Sequence, residues 1–165
     1  MNIHSAARLL TVSAFAILGA VSAIAPATAA DSHSHDAHAA VLKLNDGARW
    51  QTDAALRTGM ESIRGALAQA LPEVHAGRFS TAQYQALGDS VEQQVGYIVQ
   101  NCKLEPAADE VLHAVIADIG KGVDVIAGRA GGVEREQGVV HLVGALDAYA
   151  SHFDHPGWKA LETGH

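Results

Sequence analysis

Cysteine is almost missing: Cys102 is the only one in 165 residues. A single thiol excludes an intramolecular disulfide, a paired C-x-x-C motif and the C-x-x-C-H attachment of a c-type haem. Basic side chains are scarce as well. Lys and Arg number 11 against 18 Asp and Glu, for a formal charge of −7, and an acidic chain is a poor partner for nucleic acid or anionic lipid. There is no G-x-S-x-G, no phosphate loop and no H-E-x-x-H, and no spacing of Ser and Asp nominates a nucleophile. Cys102 with His113 could form a nucleophile and base, but no third group or oxyanion site accompanies them. The chain is therefore expected not to be an enzyme. Alternating, strand-like runs and internal repeats are absent too.

What is present begins with an export signal. "MNIHSAARLLTVSAFAILGAVSAIAPATAA" places Arg8 ahead of an apolar run from Leu9 to about Ile24, then small residues and a Pro. A basic start, apolar middle and small-residue end mark a secretory signal peptide over residues 1–30, cleaved after Ala29 or Ala30. No later segment could cross a bilayer. The expected location is the periplasm or the exterior. Residues 31–45 then read as a polar, histidine-rich tail, and residues 46–165 as one domain of ordinary length.

Four amphipathic stripes fill that domain. Leu56, Met60, Ile63, Leu67 and Leu71 recur at spacings of three and four, which predicts a first helix capped by Thr52 or Asp53 and ended at Pro72. Tyr84, Leu87, Val91, Val95, Ile98 and Cys102 make a second stripe. Ser80 with Gln83 fits a capping box there, and Phe79 with Tyr84 an apolar staple. A third helix opens at Pro106 with acids in its first turn and carries Leu112, Ile116, Ile119, Val123 and Ile126 to an end at Gly128 or at the later Gly131–Gly132 pair. The fourth stripe is Val139, Leu142, Leu146, Tyr149 and Phe153, closed by Pro156 and Gly157. Four such helices joined by short loops predict an all-α, antiparallel up-down-up-down four-helix bundle.

That topology gathers Trp50, Cys102, His152, His155 and Trp158 at one end, the mouth. Met60 and His113 lie about seven residues inside their helices, roughly 10 Å deep at 1.5 Å per residue. Helical side chains lean toward their own N-termini, so Met60 and His113 lean toward the mouth while Cys102 and His152 lean inward. A thiolate, a thioether and imidazoles converging in a bundle core would suit copper(I) first and zinc next. "SHFDHPGW" adds His152 and His155 as an i, i+3 pair, if the helix runs through it against the opposing preference of Pro156. In the tail, "DSHSHDAH" offers His33, His35 and His38. Cleavage after Ala30 would make His33 the third residue, where the amine, two amides and an imidazole form a square-planar copper(II) or nickel(II) site.

The expected function is therefore that of an exported helical bundle that binds a transition metal, copper first, as carrier, buffer or sensor accessory. Met60 on the first helix, the export signal and the four-helix architecture also resemble the soluble b-type four-helix cytochromes. That resemblance covers residues 53–155 and implies haem as an alternative cofactor, with Met60 and His152 or His141 in the axial roles. A third reading, from another class, is a helical adaptor or stress protein that binds polypeptide through an apolar groove.

Overall fold

The computed structural model describes residues 42–162. In chain order they form β1 (Trp50–Gln51), α1 (Ala54–His75), α2 (Thr81–Asn101), α3 (Pro106–Ile126), α4 (Arg135–His152) and β2 (Phe153–Asp154). Each helix contacts the next, and α1 also contacts α4, as an up-down four-helix bundle requires. The stripes are the core: Leu56, Met60, Ile63, Ile98, Ile126, Leu142, Tyr149 and Phe153 are all fully buried. Among the described residues no polar or charged residue is buried, so apolar burial is the main stabilising term. No helix among them is long and apolar enough to cross a membrane.

Helix ends follow local chemistry at most termini. Asp53 caps α1, its side chain accepting from the Leu56 N–H. Ser80 and Gln83 exchange both bonds of a capping box, and the Phe79 and Tyr84 rings meet edge to face at 4.8 Å. Pro106 stands at the start of α3, where its missing N–H costs nothing.

Pro72 does not end α1, which continues to His75. A proline in the final turn forfeits only its own N–H bond, and buried Leu71 and Val74 on either side hold the turn against the core. The stop comes at Gly77, at φ +63°, where Gly77 N–H bonds Val74 O and Arg78 N–H bonds Glu73 O. That is a Schellman ending, and Gly128 at φ +77° repeats it after α3 with bonds to Val125 O and Asp124 O.

The last helix is also bounded differently. α4 stops at His152, and Phe153 turns extended at φ −116°, ψ 135° while staying buried. Phe153 and Asp154 then pair in parallel with Trp50 and Gln51. Two residues cannot display a strand period, so the sequence pattern carries no trace of this ladder.

Two glycines set how closely α3 and α4 approach. A Cβ on Gly138 would lie 2.6 Å from Ile126 Cγ2 and 2.8 Å from Gly122 O, and one on Gly122 would lie 2.7 Å from Leu142 Cγ.

Candidate functional site

The mouth is built around Asp53. Its Oδ1 accepts from Leu56 N–H at 2.7 Å, and its Oδ2 accepts from Lys103 N–H at 2.6 Å, so one carboxylate joins the start of α1 to the chain leaving α2. Thr52 Oγ1 donates to Asp154 O at 2.7 Å, and Arg57 donates back to Thr52. Trp50, buried in the core cluster, donates its indole N–H to Lys43 O at 2.7 Å. These bonds span the end of the bundle and hold β1 against β2.

Cys102 is the C-cap residue of α2, one position beyond its last helical residue, and is half-buried. Burial, then the neighbouring Asp53 carboxylate, with Asp109 adding less, pushes its thiol up to about 12. A sulfur held protonated is neither a ready nucleophile nor a ready metal ligand, since both tasks need the thiolate.

The other expected donors are distributed rather than gathered. Met60 is enclosed by the core, with no exposed surface. His113 faces outward with 70% of its side chain exposed; its Nδ1 lies 2.8 Å from Asp109 O and 3.4 Å from Asp109 Oδ2. His152 directs Nδ1 to Ala148 O at 2.7 Å. Among the described residues that arrangement leaves Nε2 of both rings without a hydrogen-bond partner, which is how ligating histidines are often oriented, but no second and third donor among them meets either one. Among the described residues no group of three or more His, Cys, Asp or Glu side chains could hold a metal ion.

His155 lies beyond the end of α4, so the helical i, i+3 pair with His152 is not formed. Its Nδ1 is instead 2.9 Å from the Tyr149 hydroxyl. Burial lowers its pKa. His141 places Nε2 3.1 Å from Asp118 Oδ1 across the α3–α4 seam. His33, His35 and His38 lie outside the described residues.

Two features of the mouth escaped sequence reasoning. Asp53 was legible as a helix cap, but nothing in a local pattern announces its second bond, 50 residues away. Tyr149 was legible as core; its hydroxyl partner follows from the "HPGW" turn, a Pro-Gly pair that bends the chain back over α4. Comparison of the chain with protein-family models, with curated proteins and with solved structures found no match.

Proposed function

We propose that this is an exported helical-bundle protein that binds a transition metal, copper first, through the imidazoles of its N-terminal segment, with the bundle serving as a stable scaffold. The observation that carries this reading is the run "DSHSHDAH", three histidines within six positions, behind an export signal. Support also comes from the bundle itself: its thiol is held protonated and its core donors are thioether and tyrosine rather than converging imidazoles. Such a protein would act as carrier, buffer or sensor accessory for copper, with zinc or nickel as weaker cargo. The haem reading needs Met60 and a bundle histidine on opposite faces of one ring. It is the weaker one, because Met60 is packed among apolar side chains and His141 Nε2 faces Asp118.

The test is a copper(II) titration against a competing chelator, comparing the exported protein with its His33→Ala, His35→Ala, His38→Ala triple variant. The expected result is an affinity loss of about tenfold or more, ~1.4 kcal/mol, with unchanged helix content. Equal affinity in the two proteins would overturn the reading.

A further inference from the structure

We propose that residues 155–162 form an acid-released strap over α1, latched to the bundle by the hydrogen bond between Tyr149 and His155. The segment opens with a turn in which Trp158 N–H bonds His155 O at 3.1 Å and Gly157 sits at φ +82°, the geometry of a Pro-Gly type II turn. Beyond that turn, the segment makes no backbone hydrogen bond to the bundle among the described residues. Side chains alone hold it: Trp158 packs edge-on against Tyr149 at 5.1 Å and against His155 at 5.0 Å, and Leu161 rests on the core. Residues from Lys159 to Glu162 border a groove with Arg64, Leu71 and His75 of α1. A segment fastened in this way opens at lower free energy than the helices beneath it.

Tyr149 makes the latch titratable. Its ring is fully buried, and its hydroxyl has no partner other than His155 among the described residues. The hydroxyl proton therefore goes to Nδ1, which must be unprotonated to accept it. An imidazolium carries N–H at both nitrogens, so protonation removes the only acceptor and places a cation against a buried ring. The surrounding charges are mixed. Arg57 and Arg64 of α1 oppose the imidazolium and Glu61 favours it; Arg49 before β1 and Asp147 of α4 line a second groove together with His155 and Trp158. Burial is the largest influence, and the balance lies on the neutral side. A histidine whose folded value is lowered stabilises the latched form fully above its ordinary 6.5 and loses that contribution as pH falls below it. Release therefore belongs on the acid side, and it uncovers the α1 face around Leu71. The imidazoles assigned to copper, those of His33, His35 and His38, take no part in the latch.

Fluorine NMR of protein labelled with 5-fluorotryptophan tests the strap directly, because the chain holds two tryptophans and Trp158→Phe assigns them. The pH is lowered from about 7.5 to about 4.5 while circular dichroism follows the helices. The expected result is a one-proton step, with its midpoint below the usual histidine value, in which Trp158 gains a solvent isotope shift and Trp50 does not. His155→Gln, whose side-chain oxygen still accepts from Tyr149, should abolish the step. Tyr149→Phe should raise its midpoint, since the bond that favours the neutral ring is gone. A Trp158 signal that stays protected at the acid limit with helices intact would overturn the proposal, as would a step that survives in His155→Gln or an unmoved midpoint in Tyr149→Phe.

Discussion

At the end where α1 passes to α2 and α3 to α4, both α1 and α3 stop on a left-handed glycine, Gly77 or Gly128, and α2 begins with a capping box from Ser80. Several bonds there join residues within five positions, Arg78 with Glu73, Gln83 with Ser80 and Arg129 with Asp124, while Arg129 also reaches Glu92 of α2. The mouth adds much longer ties to its local bonds. Asp53 reaches Lys103, Thr52 reaches Asp154, Trp50 pairs with Phe153, and the separations run from 50 to more than a hundred residues. The helix ends at one end are set mainly by local capping, whereas the mouth is closed by contacts that only the finished fold supplies. A local cap can be lost with the rest of the bundle intact, whereas a long-range tie holds the termini of different helices in register.

Five substitutions would break or sharpen that contrast. The largest effect is expected not from a bond but from the close approach beside the glycine end. Gly138→Val pushes a branched side chain into Ile126 and the α3 backbone, and thermal or denaturant unfolding should show a loss of about 3 kcal/mol, the upper part of the overpacking range. Asp53→Ala removes a helix cap and the tie to Lys103 together, and should cost about 2 kcal/mol in the same assay. Ser80→Ala removes one capping side chain and should cost about 1 kcal/mol. A Ser80→Ala loss as large as that of Asp53→Ala would erase the distinction between the two ends.

The smallest stability change belongs to Cys102→Ser, expected within about 1 kcal/mol for a half-buried thiol at a helix terminus. Its informative readout is chemical. With the thiol pushed up to about 12 by burial and Asp53, alkylation of native protein near neutral pH should run at least about tenfold slower than alkylation of the unfolded chain. The rate should climb as pH rises toward that value. Asp53→Asn, which removes the neighbouring charge, should accelerate it at fixed pH; an unchanged rate would show that Asp53 does not govern the thiol.

The same contrast explains what was legible in advance. The four stripes predicted the bundle because burial on one face leaves a period of three and four in the sequence. Ser80, Asp53, Pro106 and Gly128 announced helix ends because capping is written within a few residues. Pro72 misled for a physical reason: a proline signals what the backbone loses, while the anchoring of Leu71 and Val74 that outweighs the loss is a tertiary fact. Gly122 and Gly138 carried no signal in the stripes, and their role as close-approach points is visible only once α3 and α4 are paired. For the expected metal donors, topology brought Cys102, His152 and His155 to one end as the helix order required. It could not give the direction of each ring. His113 sits one position off its stripe, and that offset turns it to solvent. His155 falls just past the end of α4, which turns it toward Tyr149.

If copper is taken by the N-terminal imidazoles and not by the mouth, as we propose, paramagnetic broadening will locate the ion without a variant. Substoichiometric copper(II) added to isotope-labelled protein should erase the amide signals around His33, His35 and His38 first. Those around Asp53, Cys102, His113, His152 and His155 should stay sharp. Loss of the mouth signals at the same or lower copper, with the histidine-rich segment unaffected, would contradict it.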